Sequence, residues 1–197
     1  MQGVATLGTS SEAIRLMQEA FGWFSPSEAH ELHRVAKLGL NVAPAIAEIG
    51  SFAGRSTIVL AHACEALDVG RVYAIDPHEG KIRVGQAKEL PTLEGFRINL
   101  KKSGLYHRVV EMVMPSSDAV IPELVGHTFI DGLHEYEFVK RDLDIALSWS
   151  APGAYISLHD CRENGPRRAV ADMIAMGKFE RISEVDTLAT FRLKGGA

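Results

Sequence analysis

The sequence predicts an α/β fold, a doubly wound and mostly parallel sheet with helices on both faces. Three observations carry this. Short apolar runs bounded by Gly, Pro or Asp alternate five times with segments of helical period. Each such alternation implies a right-handed βαβ crossover, which sets the strands parallel and puts helices on the faces. The last two strand-like runs, FERISEV and LATFRLK, are joined by so short a turn that they must pair antiparallel. With 197 residues, 46% hydrophobic and 23% charged, the chain suits one soluble domain whose core needs no staples.

The elements follow in order. SPSEAHELHRVAKLGL is a helix: Ser25 caps it, Pro26 suits its first turn, and Glu28 stands in capping-box spacing. Its apolar stripe is Ala29, Leu32, Val35 and Ala36. PAIAEIG is a short strand halted by Gly50, and RSTIVLAHACEAL is the helix after it. RVYAID is a buried strand stopped at Asp76-Pro77. A polar segment with Gly80, Gly85 and Pro91 reads as loop, followed by the helix LEGFRINLKKSG. RVVEMVM is the third strand, SDAVIPELV a short helix despite Pro122, and HTFID the fourth strand. EYEFVKRDLDIALSW puts Tyr136, Val139, Leu143, Ala146 and Leu147 on one helical face. GAYISLHD is the fifth strand, and GPRRAVADMIAMG is the helix before the antiparallel pair.

Composition narrows the function. A net charge of -4 argues against a nucleic-acid partner. Cys64 and Cys161, far apart and in no metal-binding spacing, predict a reduced, cytoplasmic protein. The N-terminus lacks the pattern of a secretory leader, and no apolar run reaches the ~20 residues of a membrane span.

In doubly wound sheets the ligand lies beyond the carboxyl ends of the strands. The first end reads EIGSFAGRST, where Gly50 and Gly54 allow a sharp turn and close backbone approach. It lacks the middle glycine of a dinucleotide loop, which disfavours an NAD-linked oxidoreductase. Glu48 there suits a cationic ligand, or pairs with Arg55. Asp76, one βαβ unit on, can accept ribose hydroxyls. Together these ends indicate a nucleoside ligand with little phosphate charge.

EIGSFAGRST, YAID and an acid-terminated fourth strand resemble class I S-adenosylmethionine-dependent methyltransferases. The resemblance is greatest to metal-dependent small-molecule O-methyltransferases, the catechol O-methyltransferase type and its short bacterial relatives acting on sugars and natural products. It covers about residues 25–193 and implies a seven-stranded sheet of order 3-2-1-4-5-7-6 with the last strand antiparallel. Residues 25–197 would then form the S-adenosylmethionine-binding domain, and residues 1–24 a helical segment meeting substrate or the second copy of a homodimer. The resemblance implies that Glu48, Gly50 and Ser56 hold the methionine end, with Ser51, Phe52 and Gly54 in the same loop. It further implies Asp76 with Pro77 at the ribose, and Ser116, Ser117 and Asp118 near the adenine, with Asp131 adjoining the cofactor.

Strands four and five, as neighbours ~4.8 Å apart, bring Asp131 and the pair His159-Asp160 into one crevice. Two carboxylates and an imidazole suit a divalent ion, Mg²⁺ or Mn²⁺, held by Asp131, His159 and Asp160. His134, three residues after Asp131 and with an ordinary pKa of ~6.5, suits a general base for a hydroxyl substrate. Blander readings stay open: Asp131 as a helix cap, His134 as a first-turn histidine, His159 as strand-end filler. Arg162, Arg167 and Arg168 read as a solvated helix start or a site for an acidic substrate. Phe21, Trp23 and Phe24 read as packing or as a substrate wall. The same fold without a metal, or an inactive nucleoside-binding module, are the competing functions.

Overall fold

The helix that opens the main domain illustrates how local signals and burial agree. In the computed structural model, which describes residues 9–84 and 88–194, the Ser25 Oγ accepts the Glu28 N–H at 3.2 Å. The Glu28 carboxylate in turn accepts the Ser25 N–H at 2.9 Å, closing a capping box. Ala29, Leu32, Val35 and Ala36 are fully buried beneath it.

The chain runs through α1 (Ser10–Met17), α2 (Pro26–Leu40), β1 (Ala45–Ile49), α3 (Arg55–Leu67) and β2 (Arg71–Ile75). A hairpin of β3 (Lys81–Val84) and β4 (Lys88–Pro91) follows, then α4 (Thr92–Ser103) and β5 (Val109–Met112). The second half contains β6 (Val125–Ile130), α5 (Tyr136–Trp149), β7 (Ser150–Leu158), α6 (Asn164–Ala175), β8 (Phe179–Val185) and β9 (Leu188–Leu193). Seven strands make one sheet in the order β5-β2-β1-β6-β7-β9-β8, which is the expected 3-2-1-4-5-7-6. Only β9 runs antiparallel to its neighbours, β7 and β8.

Helices cover both faces, so the central strands are apolar on both sides. Ile46 of β1 joins Met17, Leu32, Ile58 and Phe96 on the face of α1 to α4. Ala45, Ala47 and Ile49 face Leu143 and Ala169 of α5 and α6. Among the described residues no helix is long and apolar enough to cross a membrane.

Two expectations are corrected. SDAVIPELV does not form a helix: after one 3-10 turn at Ser116–Asp118 the chain is irregular up to β6. Pro122 has no N–H to give and disfavours helical backbone at Ile121, so the turn cannot propagate. The polar segment after Asp76 is a hairpin instead of a loop, because Ile82 and Leu90 pair across its strands and bury against Ala53. Gly85, expected in that loop, lies outside the described residues.

Candidate active site

Strand register brings the candidate residues together. Ile49 pairs with Ile130, and Ile130 with Leu158, so the residues after β1, β6 and β7 lie side by side. Asp131 N–H donates to Ile49 O at 2.8 Å, and His159 N–H to Ile130 O at 3.0 Å. At Gly50 φ is +91°, and a Cβ there would stand 2.1 Å from the Asp131 carbonyl oxygen. Only glycine lets β1 and β6 end this closely. Above these ends lies a cleft of about 420 Å³, a volume suited to a small ligand.

On the β1–α3 side, Phe52 adopts a left-handed backbone (φ +43°), fixed by its N–H donating to the Asp76 carboxylate at 2.8 Å. The other Asp76 oxygen accepts the His78 N–H at 2.7 Å. The Ser51 hydroxyl lines the cleft, buried and without a protein partner. An orphaned buried donor at a cleft wall is suited to a bound ligand. Glu48 lies below, wholly buried, and accepts the hydroxyls of Ser56 at 2.6 Å and Thr57 at 2.5 Å. Burial raises its pKa to about 8 against the opposing pull of those two bonds. It does not pair with Arg55, whose guanidinium is turned to the carbonyls of Met17, Ala20 and Phe24. Further along the cleft, the Ser116 hydroxyl donates to the Asp142 carboxylate at 2.6 Å.

At the ends of β6 and β7 three ligand-type atoms, from Asp131, His134 and Asp160, all lie within 4.8 Å of one another. Asp160 turns toward the others through a left-handed backbone, φ +48°, which Asp tolerates. His134 Nε2 faces Asp131 at 3.7 Å and Asp160 at 3.5 Å, while its Nδ1 is bonded to Glu163 at 2.9 Å. The Asp131 carboxylate beside it raises the His134 pKa to about 9, burial opposing and Glu163 adding to it.

The buried His159 is different. Its Nδ1 lies 3.2 Å from Asp131 and 3.3 Å from Asp160, and its Nε2 lies 3.3 Å from Glu28. Burial alone would lower its pKa, but the three carboxylates outweigh it and push it up to about 12. An imidazolium with both nitrogens engaged has no lone pair for a metal. Of the expected ligand set Asp131, His159 and Asp160, the two carboxylates share a group of ligand-type atoms with His134, while His159 is engaged at both nitrogens.

More than half of the chain, residues 47–161, matches the family model described as a methyltransferase domain. The chain belongs to that methyltransferase family. Solved structures agree on the fold. The chain is similar to the O-methyltransferase TomG from Streptomyces achromogenes in complex with SAM, at 21% identity and a TM-score of 0.64, covering 99% of this chain and 92% of that one. It is similar to the O-methyltransferase from Bacillus cereus in complex with SAH, at 20% identity and 0.66, covering 98% and 93%. CalS11, a TDP-rhamnose 3'-O-methyltransferase of calicheamicin biosynthesis, matches at 13% identity and 0.66, covering 93% and 92%.

In this methyltransferase the cleft is lined by Gly50, Ser51, Phe52, Ser56, Asp76, Pro77, Ser116, Asp131, His134, His159 and Asp160 of the expected residues. Glu48, Gly54 and Ser117 do not line it: Glu48 braces Ser56, Gly54 caps α3 with φ +83°, and Ser117 points to solvent. Arg168 stacks on Tyr136 at 3.8 Å and also stays outside. The sequence reading missed Asp142, Phe138 and Arg141, which line the cleft from α5, and Glu28, which reaches His159 from α2. Asp142 was detectable as an acid on a helix whose neighbouring positions are apolar. Glu28 was hidden by its own capping-box role.

Proposed function

We propose that the chain is an S-adenosylmethionine-dependent O-methyltransferase acting on a hydroxyl of a small molecule or sugar, assisted by a divalent cation. The observation that carries this reading is the convergence of Asp131, His134 and Asp160 at the lip of a cleft whose other end is built around Gly50 and Asp76. Residues 25–197 form the catalytic domain in this reading. Gly50, Ser51 and Ser56 would hold the methionine end of S-adenosylmethionine, Asp76 with Pro77 the ribose, and Ser116 the adenine. The orphaned Ser51 hydroxyl supports that assignment. Bound there, S-adenosylmethionine supplies the methyl group on its sulfonium.

The carboxylates of Asp131 and Asp160, filled out by water and substrate oxygens, fit Mn²⁺ or Mg²⁺, and they lie close enough to share one ion. A divalent ion so held would lower the pKa of the acceptor hydroxyl. His134 accepts the hydroxyl proton at Nε2, with Glu163 fixing the ring through Nδ1. Asp131 and Asp160 keep the resulting imidazolium in place. His159, charged and bonded to both, holds the two carboxylates at a fixed spacing. Rate gain beyond proton transfer comes from holding oxygen, methyl carbon and sulfur in line.

One observation favours a second reading, methyl transfer without a metal: the His159 imidazolium already supplies positive charge between the carboxylates. Calorimetry with S-adenosylhomocysteine tests the cofactor, and the absence of binding would sink the main reading. A methyltransferase assay with and without chelator separates the two. Activity that survives chelation removes the metal and leaves His134 as the base.

A further inference from the structure

We infer that Asp142, acting through Ser116, makes the cleft select the 6-amino base of S-adenosylmethionine over a 6-oxo base; this rests on the cofactor placement proposed above. Asp142 sits where an acid is costly. On α5 it shares a face with Val139, Leu143, Ala146 and Trp149, all buried, and it is itself only 3% exposed. Burial raises its pKa, with the Ser116 hydroxyl and Arg141 opposing the rise. Arg141, the residue before it, turns its guanidinium over the Phe138 ring at 4.9 Å instead of pairing with it. A desolvated acid thus lines the cleft without a cation bonded to it among the described residues. The methyl transfer described above gives it no task.

Its hydrogen bond assigns one. The Ser116 hydroxyl donates to Asp142 Oδ1 at 2.6 Å. Both residues are buried, and both line the cleft beside Pro115 and Gly132. Gly132 packs on the second oxygen, since a Cβ there would stand 3.2 Å from Asp142 Oδ2. The backbone at Ser116 is held as well: Asp118 N–H donates to Pro115 O at 3.0 Å and Ala119 N–H to Ser116 O at 3.2 Å.

Polarity at this wall follows from counting protons. A hydroxyl has one, and a carboxylate has none to give. With its proton directed at Asp142, Ser116 Oγ turns only lone pairs to the cleft. The two side chains therefore accept hydrogen bonds from a ligand and donate none. Adenine carries an amino group at C6, whose N–H extends the chain through Ser116 Oγ to Asp142. Hypoxanthine carries a carbonyl at C6 and would set lone pair against lone pair. In buried surroundings such an unpaired contact is most costly. Asp142 is thus a positioning residue: it fixes which way the Ser116 hydroxyl points.

The test is calorimetry on the full chain with S-adenosylhomocysteine and S-inosylhomocysteine, which differ in that 6-amino or 6-oxo group. The parent should bind S-adenosylhomocysteine ~10–100-fold more tightly. Asp142→Asn keeps the shape but can donate its amide N–H to Ser116 Oγ, which frees the hydroxyl proton to point into the cleft. The preference should then fall to within ~3-fold. Ser116→Ala removes the hydroxyl with little change of volume, should cut the preference at least ~5-fold, and decides the matter should Asp142→Asn not fold. In the Ser116→Ala background, Asp142→Asn should change the ratio less than twofold. A merely structural bond would weaken both ligands by the same factor. Equal affinities in the parent, or an unchanged ratio in the single variants, overturns the proposal. A further change of ratio in the double variant overturns the route through Ser116. Failure of S-adenosylhomocysteine to bind the parent at all instead overturns the cofactor reading on which the proposal stands.

Discussion

Replacing Glu48 by glutamine should flatten the dependence of stability on pH. Glu48 has no exposed surface, and burial raises its pKa from 4.5 to about 8, with the Ser56 and Thr57 hydroxyls opposing the rise and the Asp131 and Asp76 carboxylates adding to it. The folded state therefore keeps a proton that the unfolded chain releases near 4.5. Stability from this group is fully present below 4.5 and is lost as pH rises to about 8, beyond which the loss is complete. Over that interval, at ~1.4 kcal/mol per pH unit, the penalty approaches ~5 kcal/mol, an upper bound because water and side chains relax around an ionised group. Glutamine keeps the shape and never ionises. Urea unfolding of both proteins at pH 5, 7 and 9 gives the difference directly. Between pH 5 and 9 the variant should gain several kcal/mol relative to the parent, on the order of 2–5. Parallel stability curves would refute the reasoning and mean that Glu48 ionises as an ordinary carboxylate inside the fold.

Other perturbations reach the same site. Gly50→Ala combines φ +91° with a Cβ 2.1 Å from a backbone oxygen, and should cost at least ~3 kcal/mol. For a chain of this length that is a fall of roughly 6–12 °C in Tm by calorimetry. Glu28→Ala removes half of a capping box and the Nε2 partner of His159, and should cost ~2–4 kcal/mol at pH 7. Burial would raise the Glu28 pKa, but bonds from His159, Thr187 and Ser25 bring it down to about 2. Its stabilisation is thus present above 4.5 and lost as pH falls through 2, so parent and variant should converge in acid unfolding. His134→Gln should lower kcat by ~10²–10⁴-fold while the Kd of S-adenosylhomocysteine stays put. In the parent with chelator, activity should rise with pH through about 9, where His134 becomes neutral; a midpoint at the ordinary histidine value would remove the Asp131 contact from the mechanism.

The strand ends were legible because a doubly wound sheet leaves its ligand residues just past each strand. Glu48, Asp76, Asp131 and His159 are acids and an imidazole where an apolar run stops. The register of β1, β6 and β7 then made neighbours of residues whose order along the chain says nothing of distance. What was not legible depends on contacts made far along the chain. The β3–β4 hairpin is decided by Ile82 and Leu90 finding Ala53, and neither strand has enough apolar residues to declare itself. The different settings of His134 and His159 have the same origin. Both sit within one crevice, as their positions suggest, but the Nε2 of His159 is turned to Glu28 of α2 and to Thr187, 3.3 Å away in the β8–β9 turn. Nothing within reach of a local pattern links Glu28 to Thr187, which are 159 residues apart.

The charge around His134 also determines how the site would respond to a cation. Asp131 and Asp160 carry two negative charges, and at neutral pH both His134 and His159 are held as imidazolium beside them. The pair is therefore close to electrically balanced before any ion arrives. A divalent ion held by Asp131 and Asp160 would neutralise the carboxylates that keep His134 charged, and so displace its proton. His159, buried and tied to Glu28, keeps its own. Binding of Mn²⁺ at pH 7.5 should therefore release close to one proton per ion, and its affinity should rise by up to tenfold for each pH unit below the His134 pKa of about 9. Calorimetry repeated in buffers of different ionisation enthalpy counts that proton. A release near zero would mean that His134 keeps its proton beside the bound ion and is unavailable as a base at neutral pH.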